Sequence, residues 1–283
     1  MVNKLASLRS VKAEMHATLD SIYGESEVES IFKLLASKLQ GIPYNQVSIN
    51  LDSSISDKNQ ALYGEALARL LKEEPIQYII GECEFYGLTF HVNPSVLIPR
   101  PETEELVDLV IKDLGKGYKG SIVDLGTGSG CIPIAIKKHL SEATVAAVDI
   151  SVEALQVTAS NAINNEVMIE LLPEDMAEVP FSEFDVFISN PPYIGKEEAE
   201  EMKNNVLKFE PWLALFSEDP LYFYKLIADK IVAEKKIASV YLELNPKYSE
   251  ETAAYYYVKG FSGVEVINDF YERPRILKAK YQA

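Results

Sequence analysis

The sequence predicts an α/β protein in which a small helical module precedes a domain built on a mixed, mainly parallel sheet. Three observations predict it. Apolar residues recur at helical spacing through residues 1–80. From Ser121 onward, short apolar strands alternate with helical stretches, which is the mark of βαβ units. The last two strands are joined only by residues 269–274, too short for a parallel crossover, so that pair is antiparallel. The 283 residues allow one large or two medium domains, and the 47% hydrophobic content supplies a sizeable core.

The elements follow in order. Leu5, Leu8, Met15, Leu19 and Ile22 mark a first helix. Ser26 and Glu29 have capping-box spacing, and Val28, Ile31, Leu34, Leu35 and Leu39 share one face of a second helix. Gly41 and then Pro43 stop it. A third helix holds Leu62, Ala66, Leu67, Leu70 and Leu71 and ends near Pro75. This module carries no catalytic constellation; its stripes read as core, and its surface suits a macromolecular substrate. In residues 81–98, Leu88, Phe90 and Val92 alternate with Thr89 and His91 beside Gly87, predicting a β-hairpin that links the module to residues 99–283. The strands of the sheet are expected at 121–125, 144–149, 168–172, 184–189, 237–244, 264–268 and 275–281. Residues 196–202, KEEAEEM, read as a solvated helix or a flap over a substrate.

Composition excludes several classes. Lys plus Arg is 27 and Asp plus Glu is 43, a net charge of −16 that repels a phosphate backbone. Cys83 and Cys131 lie far apart and form no CxxC pair, which suits a reduced cytoplasmic setting. The N-terminus lacks the apolar run of a signal peptide, and no stretch is apolar for long enough to span a membrane. His16, His91 and His139 are scattered without metal-ligand spacing. Ser129 is not in a GxSxG elbow, because position 127 is Thr.

VDLGTGSGC runs from the strand at 121–125 into a helix. Gly126, Gly128 and Gly130, with Thr127 and Ser129 between them, permit a tight turn and a close backbone approach to a ligand at the carboxyl end of the sheet. A dinucleotide fingerprint would need glycine at 131, where Cys131 stands, and a Walker lysine is absent. Asp149 ends the next strand, where a carboxylate accepts ribose hydroxyls; the plainer alternative is a cap for the helix beginning near Ser151. Asp124 and Asp149 without a phosphate cradle suit a cationic nucleoside, and S-adenosylmethionine is one. Asp175 and Met176 follow the third strand, a position beside the adenine; Glu174 precedes them and reads equally well as solvated loop.

The strand at 184–189 runs into Asn190, Pro191, Pro192 and Tyr193. Two prolines stiffen the turn and remove two donors, which leaves carbonyls free as acceptors. Asn190 adds a side-chain acceptor and Tyr193 a flat aromatic surface. This combination suits a planar NH2 group, either an amide or the amine of a nucleobase. Hydrogen bonds accepted from that NH2 would orient a delocalised lone pair for attack. The plainer reading is a rigid turn at a strand end.

DLGTGSG, AVDIS and NPPYI together resemble class I S-adenosylmethionine-dependent methyltransferases that act on planar nitrogen. LIPRPETEELV at 97–107 and KFEPWLALFSEDPLYFY at 208–224 narrow the resemblance to the PrmC/HemK family of protein glutamine-N5 methyltransferases. NPPY alone is shared with DNA adenine methyltransferases; the two longer segments are far more specific. The resemblance covers nearly the whole chain and implies a Rossmann-like methyltransferase domain behind a substrate-docking helical domain. It implies methyl transfer from S-adenosylmethionine to a glutamine side-chain nitrogen of class I peptide-chain release factors. Asp124, the Gly126–Gly130 loop, Asp149, Asp175 and Met176 would hold the cofactor. Asn190 would touch both cofactor and substrate, and Pro191, Pro192 and Tyr193 would complete the amide pocket. A cytoplasmic monomer without stable nucleic-acid binding is expected. The rivals are an adenine-N6 nucleic-acid methyltransferase and a non-catalytic adaptor docking on translation factors. The sequence departs from the family pattern at Asn245 and Tyr248 in LELNPKY, and at Pro274 near the end.

Overall fold

Apolar stripes of helical period collapse the first part of the chain into a helical bundle. The computed structural model describes residues 7–202 and 204–282; Leu5 lies outside them. The helices are α1 (Leu8–Tyr23), α2 (Glu25–Gln40), α3 (Asp57–Leu70) and α4 (Ile76–Ile80). Leu8, Met15, Leu19, Phe32, Leu35, Tyr63 and Leu70 form their common core. The capping box of α1 is made by Ser7 and Ser10. The cap expected for α2 is displaced: Gly24, not Ser26, is its N-cap. Gly24 turns with φ +84°, which lets α2 start at once after α1 and leaves Ser26 inside the first turn. Gly41 ends α2 in the left-handed conformation, as expected. Helix α4 is too short to show a period and was not expected.

The second unit begins with the hairpin of β1 (Glu82–Phe85) and β2 (Leu88–His91). Tyr86 and Gly87 both take positive φ at its two-residue turn. Then follow α5 (Pro101–Leu114), β3 (Ser121–Leu125), α6 (Cys131–His139), β4 (Thr144–Val148), α7 (Val152–Asn164), β5 (Glu170–Leu172) and β6 (Val186–Ser189). Next along the chain come α8 (Asn204–Phe209), which belongs to the first unit, and then, in the second, α9 (Trp212–Leu215), α10 (Tyr222–Ala233), β7 (Ala238–Glu243), α11 (Ser249–Val258), β8 (Ser262–Asn268) and β9 (Pro274–Tyr281). Helix α8 packs with the first unit, where Lys208 pairs with Glu73 at 2.9 Å. The expected helix at 196–202 is a 3-10 turn, Lys196–Glu201.

The seven-stranded sheet has the order β5-β4-β3-β6-β7-β9-β8. Its first five strands are parallel, and β9 is antiparallel to both β7 and β8. Alternation of period two sends Val123, Leu125, Phe187, Val240 and Leu242 to one face, under α10 and α11. Ile122, Val186, Ile188 and Tyr241 face the other side, with α5, α6 and the hairpin residues Phe85 and Phe90. The expected strands are all present; β4, β5, β6 and β7 are shorter than expected, β8 and β9 start earlier, and β5 loses Met168, which is 87% exposed. Leu125 lies opposite Val148, and Val148 opposite Leu172, so the carboxyl ends of β3, β4 and β5 share one level. The strand order reverses between β3 and β6, the position where open α/β sheets bind ligands.

Candidate active site

The glycine loop turns sharply because three of its residues have positive φ: Gly126 at +77°, Gly128 at +57° and Gly130 at +78°. The amides of Gly126 and Thr127 both donate to Val148 O at 2.9 Å, which ties the loop to the end of β4. Helix α7 holds it from the other side. Thr158 Oγ1 donates to Gly128 O at 2.8 Å, and Asn161 Nδ2 donates to Ser129 O at 2.9 Å. Asn161 is fully buried and also exchanges two hydrogen bonds with the backbone of His91, so one side chain fastens hairpin and loop together.

Asp149 stands at the end of β4. Its Oδ2 accepts from Gly128 N at 2.8 Å and its Oδ1 from Ser151 N at 2.9 Å. Burial raises its pKa, and these two amides work against that rise. The cap of α7 is Ser151, whose hydroxyl accepts from Ala154 N. Asp149 is therefore not the helix cap. It braces the glycine loop and keeps lone pairs on a cavity wall.

Asp124 lies beneath the loop with 1% exposure. Neither of its oxygens, nor the Thr127 hydroxyl, has a hydrogen-bond partner among the described residues. Burial lifts its pKa to about 7, Asp149 adds to the rise, and the nearby Thr127 hydroxyl opposes it. An unsatisfied buried carboxylate is costly to retain in a folded chain.

At the end of β6, Ser189 Oγ donates to Leu125 O at 2.6 Å and pins the next turn to β3. Behind that turn is a buried carboxylate, Glu243, the last residue of β7. Its Oε2 accepts from Thr103 Oγ1 at 2.6 Å and its Oε1 from the Tyr193 hydroxyl at 3.1 Å. Thr103 in turn accepts from Asn190 Nδ2 at 3.3 Å. Burial raises the Glu243 pKa, against these two hydroxyls and the positive charge of Arg275. Burial, with Glu243 beside it, drives the Tyr193 phenol upward. Asn245, one of the departures from the expected pattern, donates from Nδ2 to Tyr193 O at 3.1 Å and to Glu198 Oε2 at 3.2 Å. The Tyr248 hydroxyl reaches Glu197 only at 3.5 Å, and Pro274 merely opens β9.

These parts surround a cavity of about 280 Å³. Gly126, Thr127, Gly128, Ser129, Asp149, Glu174, Asp175, Met176, Asn190 and Pro192 line it. Asp124, Gly130, Pro191 and Tyr193 are not part of its lining. Arg100 and Thr103, from the segment at 97–107, also line it, as do Pro211, Leu213 and Ala214 from the segment at 208–224. Those two segments meet through Arg100, whose Nη2 donates to the buried Glu210 Oε1 at 2.6 Å. Trp212, half exposed at this rim, stacks on Phe216 with ring centroids 3.9 Å apart. Thr103, Asn161 and Glu243 escaped the sequence reading. The one signal was a lone carboxylate in the otherwise apolar stretch before Leu244. No group of acidic, His or Cys side chains among the described residues could hold a metal, and both cysteines are free. No helix among them is long and apolar enough to cross a membrane.

Two family models match: the PrmC N-terminal domain at residues 13–81 and the methyltransferase small domain at residues 102–209. The catalytic domain of hMettl16 in complex with an RNA hairpin shares the fold, with a TM-score of 0.57 and 15% identity over 88% of this chain and 91% of that one. A release factor glutamine methyltransferase of Bacteroides thetaiotaomicron is 36% identical over 96% of this chain and 99% of its own length. That of Flavobacterium psychrophilum is 34% identical over 97% of this chain and 99% of its own. Identity above three in ten along essentially the full length of both relatives, over a cavity built from the motifs of a methyltransferase, shows that the chain belongs to the family of release factor glutamine methyltransferases.

Proposed function

We propose that the chain methylates the side-chain amide nitrogen, N5, of a glutamine in class I peptide-chain release factors, with S-adenosylmethionine as cofactor. The observation that carries this reading is the convergence of the ends of β3, β4, β5 and β6 on one cavity, with Asn190 on its wall. The residues fit the cofactor. Asp149 offers carboxylate oxygens to ribose hydroxyls, Met176 and Phe223 give apolar wall for an adenine, and the unpartnered Asp124 lies beneath the loop, where a bound cation would favour its ionised form. Asp175 flanks the adenine side, and the Gly126–Gly130 loop lets the backbone come close. When bound, S-adenosylmethionine supplies a methyl group on a positively charged sulfur.

The chain's own task is to make a poor nucleophile react. An amide nitrogen has its lone pair delocalised into the carbonyl. Asn190 accepts a hydrogen bond from the glutamine NH2 and holds the nitrogen with its lone pair turned into the cavity. That bond strengthens as positive charge develops on nitrogen, so it lowers the barrier more than it tightens binding. Pro191 and Pro192 keep the turn rigid, and Tyr193 braces it from behind through Glu243. Residues 1–80 dock the release factor, residues 81–98 link, and residues 99–283 carry the chemistry. The enzyme works as a monomer in the cytoplasm, and its net charge of −16 weighs against stable binding of nucleic acid. Mass spectrometry of purified release factor, after incubation with the protein and labelled S-adenosylmethionine, tests the reading: one labelled methyl on a glutamine is expected, and an unmodified factor refutes it.

A further inference from the structure

We infer that Thr103 and Glu243 form a positioning relay that decides which end of the Asn190 side-chain amide faces the cavity. This rests on the methyltransferase reading above and deepens it. The argument is a count of hydrogens. Two donor hydroxyls and the nearby Arg275 charge favour the ionised form of Glu243, and an ionised carboxylate only accepts, so both hydroxyls point their hydrogens at it. A hydroxyl has one hydrogen, and that of Thr103 is committed to Glu243 Oε2 at 2.6 Å. Thr103 Oγ1 then has only lone pairs to offer Asn190. The group facing it at 3.3 Å must be the amide NH2, which leaves Asn190 Oδ1 as the free end.

The consequence is chemical. The substrate presents an NH2 group, and only an acceptor pairs with it. An Asn190 turned by half a rotation would oppose one NH2 with another. The relay removes that alternative, since a flipped amide would set two acceptors, Oδ1 and Thr103 Oγ1, against each other. A buried negative charge at the far end also polarises the chain of bonds and makes Oδ1 a stronger acceptor. Thr103 on α5, Asn190 in the turn after β6 and Glu243 at the end of β7 are far apart in sequence. Burial of Thr103 at 2% and Glu243 at 2% exposure keeps water from replacing either partner.

The test uses the full chain with whole release factor. Thr103→Val keeps the shape and removes the hydroxyl; it should lower kcat by about 10- to 100-fold while KM stays within about threefold. Thr103→Ser restores the hydroxyl and should recover most of the loss. Glu243→Gln removes the negative charge and sets an NH2 against one of the two hydroxyls, so it should also lower kcat. The double variant Thr103→Val with Glu243→Gln should be no slower than the slower single variant by more than about threefold, because both act on one chain of bonds. A Thr103→Val enzyme with near-normal kcat overturns the relay, as does a Thr103→Ser enzyme no better than Thr103→Val. Neutron diffraction of the unmutated chain decides independently of activity and of variant folding: deuterons on the Asn190 nitrogen should point at Thr103 Oγ1. The opposite placement sinks the relay. Failure of the unmutated enzyme to methylate release factor refutes the enzymatic reading instead, and the two failures are separate.

Discussion

Asn190 and Asp149 were both legible in the sequence because each ends a strand beside a motif of its own. Asn190→Ala should reduce turnover by about 100-fold or more, in kcat as well as kcat/KM. Asn190→Asp keeps an acceptor and should retain more activity than the alanine variant; equal loss in both, with cofactor still bound, would show that the NH2 is what matters. Asp149→Ala removes acceptors worth about 1.5–3 kcal/mol per hydrogen bond, so calorimetry should show cofactor affinity falling by roughly ten-fold or more. Unchanged affinity would leave Asp149 only its brace on Gly128. Asp124 makes a pH prediction. Its folded pKa of about 7 lies above the usual unfolded value near 3.9. Between those values the folded chain keeps a proton that the unfolded chain has released, so stability falls as pH rises through the window. Asp124→Asn cannot titrate, and without cofactor it should melt about 2–8 °C above the wild type at pH 8 and close to it near pH 4. Equal melting temperatures at pH 8 would mean that the carboxylate is not isolated. Thr103 and Glu243 were illegible for a plain reason: 140 positions separate them, and only the fold supplies the contact.

Among the elements, the parallel strands were readable because apolar runs between helical stretches have few other solutions. Helix α5 was not assigned, although Pro101 at its first turn and Glu102 and Glu104 beside it are a start signal. The start of α2 was misplaced because a glycine cap leaves no side-chain signature. The seam between the glycine loop and α7 is the most constrained junction. A Cβ at Gly130 would lie 2.6 Å from Thr158 Cγ2 and 3.0 Å from Ile134 Cδ1, at φ +78°. Gly130→Ala should therefore cost about 1–3 kcal/mol in denaturant unfolding and displace Thr158 from Gly128. An unfolding midpoint like that of the wild type would show that the loop yields freely there.

At the level of the whole chain, the division of labour has a direct test. Every residue that lines the cavity belongs to the second unit. Removing residues 1–81 should leave cofactor affinity within about threefold and lower kcat/KM for whole release factor by at least about ten-fold, the size of a lost docking surface. Full efficiency in the truncated chain would end the docking role. The helical module was legible from its stripes, but the attachment of α8 to it was not: a six-residue helix more than a hundred positions downstream carries no sequence mark of where it packs.

The Trp212–Phe216 stack at the rim has a practical consequence. The chain contains one tryptophan, so its indole emission comes from a single half-exposed ring next to Leu213 and Ala214 of the cavity wall. The protein thus carries its own optical probe at the entrance to the site. Excited at the red edge of the indole band, where the 16 tyrosines do not absorb, a fluorescence titration reads this one position beside the cavity wall and follows occupancy in real time without any label.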